Sequence, residues 1–148
     1  MTIETLTIER AVAADIREIH ALEQRCFPAA WRREFFEGEL TNDGRFNLVA
    51  RRGGILAGYL FAMWIGEDMH INKIAVDENV RRQGIALAMM YRCTAFASEQ
   101  GVTSISLEVR SSNEEAQHFY RFLDFEPEYV RKAYYPDGEA AVVMMKEL

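Results

Sequence analysis

The amino-acid sequence predicts a mixed α/β or α+β fold, in which a β-sheet carries helices on its faces. Strand-like and helix-like apolar patterns follow one another, with several strands first and a β-α-β-α-β-β succession after them. The chain has 148 residues, of which 49% are hydrophobic, so it can bury one core. Because no linker, repeat or low-complexity segment divides it, residues 1–148 are expected to form a single domain.

The first part of the chain predicts one strand and two helices. Residues 6–10 form the strand, and Asp15 with Glu18 is expected to begin the first helix as a capping box. Apolar residues then follow at helical spacing: Ile16, Ile19, Leu22 and Cys26. Phe27-Pro28 ends this helix, and residues 31–40 predict a second, short helix with an aromatic face.

Three strands are predicted next, over residues 46–51, 55–64 and 69–76. Arg52-Gly53-Gly54 is typical of a hairpin turn between the first two. A longer helix is expected to begin after Gly84, because apolar residues recur there on one stripe. Its stripe consists of Ile85, Met89, Cys93 and Phe96.

The last third of the chain predicts a strand, a helix and two more strands. Residues 104–110 alternate apolar and polar side chains, as a half-buried strand does. Ser112 with Glu115 is expected to form a second capping box, ahead of the helix. Residues 128–133 and 140–146 predict the two final strands.

The composition bounds the partners and the compartment. A formal net charge of −6 argues against a general nucleic-acid binder and mildly favours a cationic substrate such as an amine. No apolar stretch is long enough to span a bilayer, so no membrane partner is expected. The start, Met1-Thr2-Ile3-Glu4, lacks the basic and apolar regions of a signal peptide, which predicts a cytoplasmic protein.

No metal site is expected from the cysteines or histidines. Cys26 and Cys93 lie far apart, and two buried thiols in a reducing cytoplasm is the plain interpretation. The three histidines lack metal-like spacing and are interpreted as structural or exposed: His20, His70 and His118.

The most informative stretch is Arg81-Arg82-Gln83-Gly84-Ile85-Ala86, which follows an apolar strand and opens a helix. The first backbone N–H groups of a helix have no intrahelical partner, and the helix dipole adds positive charge there. Such a turn therefore predicts a site for the phosphate or pyrophosphate of a cofactor. The spacing fits neither the dinucleotide-binding glycine motif nor the nucleotide-binding P-loop.

At these residues the chain resembles the GNAT superfamily of acetyl-CoA-dependent N-acetyltransferases. The resemblance covers most of the chain, and more narrowly it is similar to the RimI-type N-terminal acetyltransferases, which acetylate the α-amino group of ribosomal protein S18 in bacteria. The blocks that carry it are Arg81-x-x-Gly84-x-Ala86, Ile74-Ala75-Val76-Asp77, Leu107-Glu108-Val109-Arg110, Asn113-x-x-Ala116-x-x-x-Tyr120 and Tyr134-Tyr135-Pro136. Asp124 departs from the family's Leu-Gly-Phe, yet Asp tolerates the left-handed conformation, so the turn is expected to survive.

The resemblance implies a GNAT fold, with a central mixed, mostly antiparallel sheet flanked by helices, and acetyl-CoA as cosubstrate. It implies that backbone N–H groups of the loop bind the CoA pyrophosphate, at Arg82, Gln83, Gly84, Ile85, Ala86 and Leu87. The strand residues Ile74, Ala75 and Val76 are implied to pair with the pantetheine arm, and Asn113 to hydrogen-bond it. The cosubstrate would then lie in a splay between that strand and the strand bearing Glu108.

Glu108 is the candidate general base and Tyr120 the candidate general acid. A free Glu titrates near about 4.3 and an α-amine near about 8, so direct proton abstraction needs a water relay or a raised Glu pKa. The alternative for Glu108 is a solvated residue or a salt-bridge partner of Arg110. The alternative for Tyr120 is a core aromatic, because it lies on the apolar stripe of its helix.

Tyr134 and Tyr135 are implied to line the acceptor groove, although ordinary strand-end aromatics fit the sequence as well. Trp31 is a further candidate for the wall of that groove, with a core position as its alternative. Three functions follow from the sequence: an N-terminal protein acetyltransferase acting on a target such as S18, a GNAT enzyme acting on a small amine or a lysine side chain, and an acyl-CoA-binding regulatory module without turnover. No metal is expected in any of them.

Overall fold

The computed structural model describes residues 5–148, so Met1–Glu4, on which the signal-peptide expectation rests, lie outside the described residues. The seven strands of the sheet are β1 (Leu6–Arg10), β2 (Arg45–Arg52), β3 (Ile55–Ile65), β4 (Asp68–Val76), β5 (Ser104–Arg110), β6 (Glu126–Arg131) and β7 (Ala141–Glu147). The four helices are α1 (Ile16–Cys26), α2 (Arg33–Thr41), α3 (Ile85–Glu99) and α4 (Glu114–Phe122). The predicted fold class is confirmed.

The sheet has the order β1-β2-β3-β4-β5-β7-β6, and its pairs are antiparallel except β4 with β5. The parallel ladder runs from Asp68–Ser104 to Ile71–Leu107 and stops there. Beyond it β4 continues to Val76 on its pairing with β3, and β5 continues to Arg110 on its pairing with β7. The two strands therefore diverge in the middle of the sheet, and a gap opens between them.

Two apolar cores lie on opposite faces of the sheet. One contains the inner residues of α3 and α4, such as Met89 and Tyr120, packed on strand residues that include Leu107. The other contains Ile19 of α1 and Phe36 of α2. Because side chains alternate along a strand, the polar residues between Ile105, Leu107 and Val109 of β5 point to the α1–α2 face.

Both predicted capping boxes are wrong. The Asp15 carboxylate accepts from the Val12 N–H at 2.9 Å, outside the helix, because a short 3₁₀ turn precedes α1. The cap of α4 is Asn113, whose Oδ1 accepts from the Ala116 N–H at 3.1 Å. The backbone N–H of Ser112 instead donates to Glu139 at 2.8 Å.

Of two smaller sequence expectations, one is wrong and the other is confirmed. Residue 31 lies ahead of α2, because Arg32 has an extended backbone and the helix begins only at Arg33. Asp124 has φ of +70°, so it occupies the left-handed position that the family's glycine would take, as expected. Within residues 5–148, no helix is long and apolar enough to cross a membrane.

Candidate active site

The gap between β4 and β5 opens into a cavity of about 590 Å³. Its lining comes from the end of β4, the loop before α3, the first turn of α3, one side of α4 and the end of α1. Most of the predicted cofactor residues lie there: Ile74, Ala75, Val76, Arg82, Gly84, Ile85, Ala86, Leu87 and Asn113. Tyr120 lines the same cavity, whereas Gln83 does not.

The loop ahead of α3 has the geometry of an anion site. Arg82 and Gly84 both have left-handed backbones, with φ of +65° and +78°. The first hydrogen bond of α3 joins the Ala88 N–H to the Gly84 carbonyl at 3.0 Å, so the three preceding N–H groups lie outside the helical ladder. All three of those residues line the cavity. No protein atom lies within 4 Å of a Cβ placed at Gly84, so the loop is open on that side.

The edge of β4 and the start of α4 form the two walls of the cavity. Beyond Ile71, the edge of β4 that faces β5 has no strand partner among the described residues. The Val76 carbonyl accepts from Arg81 Nε at 3.2 Å, and the other backbone groups of this edge are available to an extended ligand. On the other wall, Asn113 uses its Oδ1 to cap α4. A hydrogen bond from Asn113 to a bound cofactor would therefore come from its Nδ2 amino group.

Glu108 lies just past the end of the parallel ladder, on the α1–α2 face, and three side chains hold it. The Tyr134 hydroxyl donates to its Oε2 at 2.9 Å, and His70 Nε2 lies 3.6 Å from the same oxygen. Arg131 Nε lies 3.5 Å from Oε1. His70, followed by Tyr134, holds the pKa of the Glu108 carboxyl below its usual value, although partial burial acts against them.

This environment corrects two sequence interpretations. The pKa of Glu108 is lowered, so the raised pKa offered as one way to activate it is wrong. Glu108 is not the partner of Arg110, which pairs with Asp137 at 2.8 Å and Glu139 at 2.9 Å. His70, interpreted as structural or exposed, lies half-buried with its Nε2 3.6 Å from Glu108 Oε2, which is compatible with that interpretation.

Tyr120 reaches the gap from the opposite face. Its ring packs edge-on against Phe119 and Phe125, and the residue is only 7% exposed. Burial, and secondarily the nearby Tyr135, raise the pKa of its hydroxyl above the usual value. Tyr120 is thus both a core aromatic and a cavity residue, with a phenol that stays protonated over the physiological range.

The loop of residues 132–140 brings Tyr134 and Tyr135 to the gap. Their rings are 5.1 Å apart, and the Arg110 guanidinium lies 4.1 Å from the centre of the Tyr135 ring. Burial is the main cause that raises the pKa of Tyr135 to about 12. Tyr135 is coupled electrostatically to both Tyr120 and Glu108, so it lies near the two candidate proton-transfer groups.

A buried polar cluster beside the gap has no counterpart in the sequence predictions. Glu23 of α1 is fully buried, and its carboxylate accepts hydrogen bonds from the Tyr59 hydroxyl and, at 3.0 Å, from the Trp31 N–H. Lys73 Nζ lies 3.0 Å from Glu23 Oε2. The same ammonium lies 3.8 Å from the centre of the Phe27 ring and 4.6 Å from that of Trp31.

This cluster fixes the α1–α2 connection, including Trp31, against β4. Trp31 also packs on the two phenylalanines of α2, with ring centres 4.5 Å from Phe35 and 5.4 Å from Phe36. A signal for the cluster was present in the sequence, because Glu23 lies four residues after Ile19 on the apolar stripe of α1. A carboxylate at such a position needs a buried partner.

Neither cysteine has the lowered thiol pKa of a reactive nucleophile. Cys26 is half-buried and lines the cavity, which corrects its interpretation as a buried thiol, and burial raises its pKa. Cys93 is buried in the core, and burial raises its pKa to about 12. Within the described part of the chain, no group of three or more His, Cys, Asp or Glu side chains is arranged to hold a metal ion.

Comparison with known proteins places this geometry in a family. Residues 16–125 match the acetyltransferase (GNAT) family. A Bacillus subtilis protein provisionally named ribosomal protein bS18-alanine N-acetyltransferase is 33% identical over 132 residues, which cover 88% of this chain and 87% of that protein. The match to the family thus includes the cavity loop, β5 and α4.

Solved structures agree with the sequence match. The crystal structure of the ribosomal-protein-S18-alanine N-acetyltransferase from Escherichia coli superposes with a TM-score of 0.90 at 27% identity, covering 97% of this chain and 94% of that one. Arabidopsis thaliana NAA60 in complex with acetyl-CoA superposes with a TM-score of 0.88 at 17% identity, covering 97% and 99%. The second likeness is one of fold alone.

Proposed function

The chain belongs to the acetyltransferase (GNAT) family, and from this premise we propose that it transfers the acetyl group of acetyl-CoA to the α-amino group of a protein N-terminus. The observation that carries the proposal is the meeting of two half-sites at the gap in the sheet. An anion-binding loop, an unpaired strand edge and Tyr120 lie around one cavity. Glu108 and Tyr134 lie at the gap from the other face.

The residues around the cavity fit acetyl-CoA. Three backbone N–H groups, of Ile85, Ala86 and Leu87, would hold its pyrophosphate at the start of α3. The free edge of β4 would take up the pantetheine arm as an added strand. Acetyl-CoA supplies the thioester carbonyl that the amine attacks and the thiolate that leaves.

Glu108 would take the proton of the amine through water. Its lowered pKa keeps the carboxylate charged at neutral pH but makes it a weak base toward an amine that titrates near about 8. A relay through water is the route that fits this lowered pKa. Tyr134 would keep the carboxylate oriented toward the gap through its 2.9 Å hydrogen bond.

Tyr120 would return a proton to the departing sulfur. Its hydroxyl is kept protonated by burial, and it lines the cavity that would contain the thioester. A general acid needs a proton to give at the working pH, and a phenol with a raised pKa meets that condition. Transfer is direct from thioester to amine, since neither cysteine is suited to carry the acetyl group.

The pKa difference between the Glu108 base and the amine also favours an α-amine over a lysine side chain as the acceptor. A lysine amine titrates near about 10.4, more than two units above an α-amine, and a weak carboxylate base cannot make up that difference easily. Ribosomal protein S18 is the specific acceptor we propose, supported by the names of the relatives at 27% and 33% identity. A ribosomal acceptor is in keeping with the cytoplasmic location expected from the sequence.

The test is CoA release by the purified protein with three acceptor classes: S18-like peptides with a free N-terminus, N-terminally blocked peptides that contain lysine, and polyamines. Turnover confined to free N-termini supports the proposal. Turnover confined to lysine or small amines contradicts it in favour of another GNAT acceptor. Acetyl-CoA binding without turnover on any acceptor supports the regulatory module.

The base is tested with Glu108→Gln, which keeps the shape of the side chain and removes its charge. We expect kcat to fall by about 10²-fold or more, while acetyl-CoA binding stays unchanged, because Glu108 lies outside the cavity lining. Glu99→Gln, an exposed residue at the end of α3, is the matched control and should keep full activity. An unchanged rate in Glu108→Gln contradicts the role of base.

A further inference from the structure

We propose that Phe122 is a stacking platform for the purine base of acetyl-CoA, at the mouth of the cavity. This assignment rests on the proposed function, because it takes acetyl-CoA as the ligand of that cavity and adds a subsite for the nucleotide half. No step of the acetyl transfer described above uses this side chain. Its exposure and its place on α4 carry the proposal.

Phe122 is highly exposed for a residue that lines a cavity. It is 71% exposed, more than any other phenylalanine, tyrosine or tryptophan in the described part of the chain. Two isoleucines are exposed to a similar degree, but they lie at the ends of β3, outside the cavity lining. A single exposed apolar residue needs no explanation on an open surface. An exposed aromatic ring at a cavity, in contrast, is typical of a surface that a ligand covers.

α4 presents two rows of side chains to the cavity. The inner row consists of Asn113, Ala116 and Tyr120. The outer row consists of Glu115, Phe119 and Phe122, which are four and then three positions apart and therefore lie on one side of the helix. Because Tyr120 is only 7% exposed, the cavity passes from a buried side of α4 to an open side that carries Phe122.

The outer row lies where the nucleotide half of acetyl-CoA has to go. In acetyl-CoA, the pyrophosphate joins the pantetheine arm to a phosphorylated adenosine. With the thioester beside Tyr120 and the pyrophosphate at the N–H groups that open α3, the adenosine leaves the loop toward the open side of the cavity. Phe119 and Phe122 provide the aromatic surface on that side.

The charges around the cavity favour the base, rather than a phosphate, over the outer row. Glu115 places a carboxylate in that row, and like charges repel each other. Arg82, on the loop before α3, offers a guanidinium to the phosphate groups instead. An uncharged purine fits the aromatic part of the row, where its face stacks on the ring of Phe122.

The subsite is measured by isothermal titration of two ligands into the wild type and into Phe122→Ala. Acetyl-CoA carries the purine, whereas S-acetyl-4′-phosphopantetheine has the same thioester arm and a phosphate but lacks the adenosine. We expect the Kd of acetyl-CoA to rise about five- to fiftyfold in Phe122→Ala, and the Kd of the shorter ligand to stay unchanged. Phe122→Tyr keeps an aromatic ring and should keep the wild-type Kd for both ligands.

Tyr91→Ala is the matched control, because Tyr91 is an exposed aromatic residue of α3 that does not line this cavity. An unchanged Kd of acetyl-CoA in Phe122→Ala overturns the proposal, and so does an equal loss of affinity for both ligands. A wild type that binds acetyl-CoA no more tightly than the shorter ligand also overturns it. Titration measures binding without turnover, so a wild type that binds acetyl-CoA but acetylates no amine contradicts the proposed function alone.

Discussion

At the gap between β4 and β5, the pKa values of the two candidate proton-transfer residues, Glu108 and Tyr120, are shifted in opposite directions. Hydrogen-bonding neighbours lower the pKa of Glu108, whereas burial raises that of Tyr120. The first remains a carboxylate and the second remains a phenol near neutral pH. Pairs of groups whose environments push their pKa values apart are typical of acid–base sites, and here the two approach the gap from opposite faces of the sheet.

Tyr120→Phe tests the acid without disturbing the core. The ring contacts with Phe119 and Phe125 stay in place, so the free energy of unfolding should change little, while kcat should fall by about 10²-fold. Because the pKa of Tyr120 lies above that of a free phenol, near about 10, its ionisation should cause no loss of rate below that pH. Stopped assays of CoA release from pH 6 to 10 and urea unfolding measure both. Full activity in Tyr120→Phe contradicts the role.

The residues that sequence could predict are those in short local motifs. The loop before α3 was predicted as an anion site from its sequence, and Asn113 was implied by the family resemblance; both line one cavity. His70 escaped prediction because its partner is 38 positions away in the chain and the β4–β5 register that joins them is a tertiary property. Lys73 and Glu23 escaped for the same reason, since a buried ion pair cannot be read from either strand or helix alone.

At the scale of elements, the contact between α1 and β4 depends on that ion pair. Glu23 is fully buried and the Lys73 side chain is 15% exposed, and together they hold the segment with Trp31 on the sheet. The cost of taking two charges out of water is offset only while every partner is present. The pair therefore specifies where the α1–α2 connection lies, next to the gap.

Lys73→Met should destabilise the protein by about 3 kcal/mol, because it leaves the Glu23 carboxylate buried without its cation. Replacing both partners, Glu23→Gln with Lys73→Met, should recover much of the loss. Urea unfolding of the two single variants and the double variant gives the coupling free energy. Strictly additive effects would show that the pair makes no net contribution to the packing of α1.

The loop of residues 132–140 is a second element whose position depends on charge. Glu139 accepts from the Ser112 N–H at 2.8 Å and pairs with Arg110 at 2.9 Å. Hydrogen bonds from Ser112 and then Arg110 lower the pKa of Glu139 to about 2. Its contribution is therefore complete above the usual value of about 4.5 and is lost as the pH falls toward about 2.

Glu139→Gln should loosen this loop at neutral pH as acid does in the wild type. We expect faster amide hydrogen exchange across residues 132–140 and a higher KM for the acceptor, since Tyr134 and Tyr135 lie on this loop. Glu147→Gln, at the end of β7, is the matched control. Unchanged exchange in Glu139→Gln would mean that the ion pair does not hold the loop.

At the scale of the whole molecule, the single parallel pair in the sheet creates the site. Antiparallel ladders hold β1 to β4 and β5 to β7 together, and within residues 5–148 only the short β4–β5 ladder joins these two halves of the sheet. The order of helices and strands was predictable because apolar residues recur at one spacing in helices and at another in strands. The splay of β4 and β5 was implied by the family resemblance, but its exact point, after Ile71 and Leu107, was not predictable from residue patterns, since it depends on how far two distant segments stay in register.

Gly84→Ala tests whether the loop before α3 binds acetyl-CoA. Gly84 and Gly54 have φ of +78° and +80°, and neither has a protein atom within 4 Å of a Cβ position. Alanine at either site should cost about 1–2 kcal/mol of backbone strain. Acetyl-CoA at 100 times its Kd should stabilise the wild type and Gly54→Ala by about 2.7 kcal/mol and Gly84→Ala by clearly less. Equal stabilisation of all three contradicts the assignment of the loop.

The central claim is that the acceptor is an α-amine, and one peptide tests it most directly. An S18-like peptide with both a free N-terminus and an internal lysine is incubated with acetyl-CoA and the protein, and mass spectrometry locates the acetyl group. We expect acetylation of the α-amine alone, and loss of this acetylation in Glu108→Gln. Acetylation of the lysine side chain, with the N-terminus left free, would contradict it.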